Sequence, residues 1–159
     1  MRLYILRHGI AEEATVGMTD ADRALTQEGR RKLRGVLDRA RKAGARPSVI
    51  LTSPLRRALE TAEMAEKILN VESSLARTNV LVPPSSPERV WKEIRSRNVE
   101  DILIAGHEPL LSTLMAFLLG CHALRVRMKK GALVCLDVEG TTEPQGVLNW
   151  MLIPKLAAE

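Results

Sequence analysis

Three apolar runs in this chain each break abruptly into polar residues that could do chemistry. Leu3-Tyr4-Ile5-Leu6 runs into Arg7-His8-Gly9. Ser48-Val49-Ile50-Leu51-Thr52 runs into Ser53-Pro54, with Leu55-Arg56-Arg57 behind it. Asp101-Ile102-Leu103-Ile104-Ala105 runs into Gly106-His107-Glu108-Pro109. A guanidinium offers a planar fork of N–H donors that matches phosphate bidentately. A neutral imidazole can attack phosphorus. Gly9 would let the backbone come close to a ligand. Two histidines and up to three arginines meeting in one crevice would therefore form a phosphate pocket holding a nucleophile. Local periodicity does not choose between Arg56 and Arg57, because neither lies on the apolar stripe of its segment.

For these residues to meet, the elements carrying them must be neighbours. Residues 2–6, 48–52 and 101–105 read as buried strands. Residues 27–43 read as a helix with the stripe Leu33, Val36, Leu37 and Ala40, a Thr26 N-cap and a Gly44 stop. Ser53 reads as the N-cap of a second helix, with Pro54 at its first position. Its stripe is Leu55, Ala58, Leu59, Ala62, Ala65 and Leu69, and Asn70 ends it. A short strand is expected at 78–82, a rigid proline-rich connector at 83–87 and a helix at about 87–96. Residues 110–119 are apolar almost all round, which predicts a deeply buried helix closed by Gly120. Residues 132–138 and 147–153 read as a hairpin-like pair at a sheet edge.

Strands alternating with helices predict an α/β fold, a three-layer α/β/α sandwich. Its central sheet is mostly parallel, with antiparallel pairing near the C-terminus. In an open parallel sheet, ligands bind at the carboxyl ends of the strands, where all three polar breaks lie. Prolines at 54 and 109 mark two helix starts there, and helix N-termini suit anions. No G-x-G-x-x-G or P-loop pattern follows any strand, so a nucleotide site of either kind is not supported.

The 159 residues fit a single domain, 1–159. There is no apolar run long enough to span a membrane and no secretory leader pattern, so a cytoplasmic protein is expected. Cys121 and Cys135 read as reduced, buried thiols, and their spacing with His107 and His122 matches no zinc pattern. No metal or other cofactor is called for. The net charge of +5 favours acidic or phosphorylated partners. Nucleic acid is disfavoured, because Tyr4, Trp91, Phe117 and Trp150 are scattered and build no stacking platform. The basic run from Arg30 to Lys42 reads as a solvated helix face, Lys129-Lys130-Gly131 as a solvated turn and His122 as a loop residue.

Four motifs, "LRHG" at 6–9, "LTQEGRRKL" at 25–33, "TSPLRRALETA" at 52–62 and "AGHEP" at 105–109, occur in order along the chain. Together they resemble the histidine phosphatase superfamily, branch one, also called phosphoglycerate-mutase-like. The resemblance implies that His8 is a nucleophile that becomes phosphohistidine, that Arg7 and Arg57 bind the phosphoryl group, and that His107 donates to its oxygens. The motif spacing selects Arg57 over Arg56. Ser53 is a candidate phosphate contact, although N-capping explains it equally well.

Larger members of the superfamily carry a glutamate general acid in an insertion after the second helix, and the short segment 70–100 lacks that insertion. Glu12, Glu13, Glu88 and Glu108 remain open as substitutes. A shallow, open site is expected, able to admit phosphate borne on a protein. The length and the "RHGIAEE" start resemble most the SixA-type phosphohistidine phosphatases. A nitrogen leaving group can be protonated without a dedicated acid. The expected substrate is phosphohistidine on a protein, with phosphate or a similar anion in the pocket. A small-molecule phosphatase acting on sugar or nucleotide phosphates is the alternative.

Overall fold

The computed structural model describes residues 1–73 and 75–158. Six strands form one sheet: β1 (Arg2–Arg7), β2 (Val49–Thr52), β3 (Leu75–Arg77), β4 (Asp101–Gly106), β5 (Leu133–Glu139) and β6 (Gln145–Leu152). Their order across the sheet is β3-β2-β4-β1-β5-β6. The β3-β2, β2-β4 and β4-β1 pairs are parallel, while β1-β5 and β5-β6 are antiparallel.

Alternation along β1 builds the three layers. Leu3 and Ile5 join one apolar cluster with helices α3 (Pro87–Ser96) and α4 (Leu110–Leu118). Tyr4 and Leu6 join the other, with α1 (Gln27–Lys42), α2 (Arg56–Leu69) and the short α5 (Pro154–Ala157). Side chains of period two must leave the sheet on opposite faces, so a strand apolar at every position needs helices on both. No helix among the described residues is long and apolar enough to cross a membrane.

The expected stripe of α1 is the buried one, and Thr26 caps it by accepting the Gly29 N–H at 2.9 Å. Gly44 follows its end in the left-handed region, the backbone conformation at which helices commonly stop. Three local expectations are corrected. The strand expected at 78–82 lies instead at Leu75–Arg77, and Asn79–Leu81 form a 3-10 turn capped by Thr78. Helix α2 starts at Arg56, with Leu55 at the N-cap position, so Ser53 is not its N-cap and Pro54 is not its first residue. Cys121 is exposed, and Cys135 alone is a buried thiol.

The buried face of α2 is also rotated from its apolar stripe. Arg57 and Thr61 are buried beside Ala58, Ala62 and Ala65, while Leu55 and Leu59 are half-buried. The helix turns two polar residues inward, which periodicity of apolar residues cannot show.

Gly29 fixes how closely α1 approaches the segment after β1. A Cβ there would stand 2.2 Å from the Ile10 carbonyl oxygen. Gly29→Ala is expected to destabilise the fold by about 2 kcal/mol, read as a lower urea midpoint with an unchanged slope. A midpoint equal to wild type would mean that α1 can shift without cost.

Candidate functional site

The register of the parallel strands brings the three polar breaks together. Arg7 is level with Gly106 across β1 and β4, and Thr52 is level with Ala105 across β4 and β2. The pairing carries on past the strand ends: the His8 N–H donates to Gly106 O at 3.1 Å, and the Ser53 N–H to Ala105 O at 3.0 Å. His8, Ser53 and His107 are therefore adjacent because their strands are.

The His8 and His107 rings lie 5.1 Å apart between centroids, tilted by 52°. His8 Nδ1 sits 2.8 Å from its neighbour's carbonyl, Gly9 O. A carbonyl only accepts, so this bond places the ring proton on Nδ1 and leaves the lone pair on Nε2. Both rings are buried, at 6% and 4% exposure. Burial pushes His8 down to about 3, helped by His107, Arg57 and Arg7. Burial likewise pushes His107 down to about 4, with Arg57 and Arg7 adding to it. Both imidazoles are neutral around pH 7.

Two guanidinium groups flank the rings. Arg7 donates to Met128 O at 2.6 Å, and its burial lowers its pKa. Arg57 donates to Asp20 O at 2.8 Å and to Asp20 Oδ2 at 3.1 Å. The structure separates the two arginines that local sequence left equivalent: Arg57 is 7% exposed, whereas Arg56 is exposed and paired with Glu60 at 3.0 Å.

Ser53 belongs to the site through His107, whose Nε2 lies 2.8 Å from Ser53 Oγ. The same hydroxyl accepts the Leu55 N–H at 3.3 Å. Its proton can then go to Nε2, which leaves the His107 ring proton on Nδ1. Among the described residues, three buried donor atoms in this cluster have no hydrogen-bond partner: His107 Nδ1, Arg7 Nε and Arg57 Nε. Buried donors left unpaired are costly and rare.

Of the carboxylates left open, Glu12 is exposed and accepts the Ala24 N–H at 3.3 Å. Glu108 accepts the Ser112 N–H at 3.1 Å and its hydroxyl at 2.5 Å. Glu13 and Glu88 are exposed. Two residues that sequence reasoning missed complete the cluster. Asp20 holds the Arg57 fork, and its carboxyl is kept below the usual range by Arg23 and then Arg57. Thr61 accepts the Gly9 N–H at 3.1 Å and donates to Arg57 O at 2.7 Å. Thr61 stands four places after Arg57, one turn along the same face, and that spacing was the available signal.

Comparison with known proteins agrees with this geometry. Residues 3–77 match the family model of the histidine phosphatase superfamily (branch 1). The structure of the protein histidine phosphatase SixA complexed with tungstate aligns with a TM-score of 0.86 at 26% identity, covering 98% of each chain. A protein solved as a candidate SixA phosphohistidine phosphatase from Agrobacterium tumefaciens gives 0.83 at 24% identity, over 96% of this chain and 97% of that one. A mycobacterial glucosyl-3-phosphoglycerate phosphatase shares the fold more loosely, at 0.72 and 17% identity over 94% and 97%. An uncharacterised protein of Picosynechococcus is 44% identical over 64 residues, which span 40% of this chain and 39% of that protein. The site geometry, two histidines held between two arginines, agrees with these matches: residues 3–77 fit the histidine phosphatase superfamily (branch 1) model, and the chain shares its fold with the SixA structure.

Proposed function

We propose that this protein is a phosphatase that removes phosphate from phosphohistidine on a protein, through a phospho-His8 intermediate. The observation that carries the reading is the set of three buried, unpaired donors beside a histidine whose Nε2 lone pair is free. A phosphoryl group has three peripheral oxygens to accept those donors, and its phosphorus is the electrophile that Nε2 requires. The preference for a protein-borne phosphoramidate draws on the likeness to the SixA phosphatase over 98% of both chains. Two unpaired thiols fit a cytoplasmic enzyme.

In the first step His8 Nε2 attacks phosphorus in line. A new P–N bond forms, and the bond to the substrate imidazole nitrogen breaks. That imidazole leaves with the bonding pair, and solvent supplies the proton that its nitrogen takes up. Arg7, Arg57 and the His107 Nδ1–H hold the charge on the equatorial oxygens, while Ser53 keeps the His107 ring in that tautomer. Water then attacks phospho-His8, and the P–Nε2 bond breaks. Phosphate is released, and His8 returns to its neutral form with Nδ1–H on Gly9 O. Asp20 and Thr61 position Arg57 and do not touch the phosphoryl group.

Three outcomes are expected. Phosphate release from a phosphohistidine-bearing protein should exceed release from an aryl phosphate, and His8→Ala should cut it roughly a thousandfold. Faster turnover of the ester would favour the small-molecule alternative, and release independent of His8 would overturn the mechanism.

Arg57→Lys should lower kcat/KM about a hundredfold, because an ammonium cannot replace the fork. Arg56→Lys should change it less than about twofold. Equal losses would remove the distinction between the two arginines.

The neutral histidines also make stability depend on pH. Their folded values, about 3 and about 4, lie below the ordinary 6.5, so between these limits the unfolded chain binds more protons. Stability is then full above pH 6.5 and falls as acid is added, by up to about 1.4 kcal/mol per pH unit for each imidazole. Urea titrations at stepped pH should show this slope, and His8→Asn should reduce it. An unchanged slope in that variant would mean that His8 is not buried neutral.

A further inference from the structure

The segment between α4 and β5 carries the sequence Arg125-Val126-Arg127-Met128-Lys129-Lys130-Gly131 and has no regular structure over Arg125–Lys129. It is nonetheless bound to the catalytic strand at several points. Met128 is buried, and its carbonyl takes the Arg7 guanidinium at 2.6 Å. The Gly131 N–H donates to Arg7 O at 3.2 Å and to His8 O at 3.0 Å. The segment is a strap fixed to the two residues that begin the chemistry.

Its cations face outward. Arg125, Arg127, Lys129 and Lys130 are all exposed, and among the described residues none of them pairs with a carboxylate. On α1, Arg30, Lys32 and Arg41 each hold an acidic partner, while Arg34 and Arg39 are exposed and, among the described residues, unpaired, which makes them the matched control for the strap. Arg7 forms a wall of two clefts, one on each portion of the strap. One, of about 550 Å³, is lined by Lys129 and Lys130 of the strap, by Lys32 and Lys155, and by the apolar Ile10, Ile153 and Pro154. The other, of about 500 Å³, is lined by Arg125 and Arg127. Its one carboxylate, Glu108, is already engaged by Ser112.

We propose that the strap 125–130 is the docking surface for an acidic face of the phosphorylated protein, which it holds while the phosphoryl group enters the His8 pocket. Unpaired cations gathered at one site act on encounter rate and partner choice through complementary charge. The apolar lining gives a folded surface something to bury. Single-stranded nucleic acid is disfavoured because no aromatic ring lines either cleft. This inference rests on the reading of His8 as acting on protein-borne phosphate, but its test needs no catalysis.

The probe is a short fluorescein-labelled peptide rich in Asp and Glu, followed by anisotropy. Wild type should bind it, with affinity falling as salt is raised. The double variant Arg127→Glu/Lys129→Glu should bind about tenfold more weakly. A matched reversal on the outer face of α1, Arg34→Glu/Arg39→Glu, should bind as wild type does. Equal loss in both variants would reduce the effect to net charge and overturn the proposal. No measurable binding by wild type would also overturn it, as would tighter binding of an RNA oligonucleotide of equal charge. In parallel, the strap variant should raise KM for a phosphohistidine-bearing protein more than for an aryl phosphate. If wild type binds the peptide but turns over neither substrate, the catalytic reading fails and the docking surface stands.

Discussion

The whole site depends on the pairing of β1 with β4. These two strands run parallel and level, so their carboxyl ends finish together, with Arg7 opposite Gly106. One further hydrogen bond, from the His8 N–H to Gly106 O, carries the register past the strands and sets His8 beside His107. A shift of one residue would send every β1 side chain to the opposite face. Leu3 and Ile5 would then leave the α3–α4 side for the α1–α2 side. The apolar core on both faces therefore enforces the register, and the register fixes the distance between the two imidazoles. Stability and chemistry share one constraint.

Burying this much basic chemistry requires that charge be held down or answered. The histidines lose theirs, since burial favours the neutral ring. The arginines cannot, and each is met by oxygen: Arg7 by the Met128 carbonyl, Arg57 by the carbonyl and carboxylate of Asp20. Among the described residues, the cluster around the rings is left with three donors unpaired. A natural fold tolerates such a deficit where a ligand with matching acceptors completes it. A dianionic phosphoryl group supplies both the acceptors and the countercharge.

The layers, the strands that end in the site and the placement of Arg7, His8 and His107 at those strand ends were legible in the sequence because they rest on local signals. Apolar runs marked β1, β2 and β4, and polar breaks marked their ends. Choosing Arg57 over Arg56 needed the motif spacing, since apolar periodicity carries no information about a buried guanidinium. The α2 cap was misread for a related reason. Ser53-Pro54 has the composition of a helix start, but Ser53 is drawn into the bond with His107, and the helix begins at Arg56. The short β3 lies at Leu75–Arg77 because its pairing with β2 comes from across the sheet. Asp20 was invisible because it acts on a residue more than thirty positions away in the chain, and for Thr61 only the spacing from Arg57 was on offer, since its bond to Gly9 also spans more than thirty positions.

Helix α2 shows how the polar face is made affordable to the fold. Its inward residues are Arg57, Ala58, Thr61, Ala62, Ala65 and Leu69. Three alanines keep the helix close to the sheet, and at that distance Thr61 reaches the Gly9 N–H while its own hydroxyl donates to Arg57 O. Larger apolar residues at 58, 62 or 65 would add buried surface but move the helix outward. Gly9 would then lose its acceptor, and Arg57 its place beside the rings. The small side chains are therefore a requirement of the site as much as of the core. They hold a threonine that links the Gly9 backbone beside His8 with the Arg57 carbonyl.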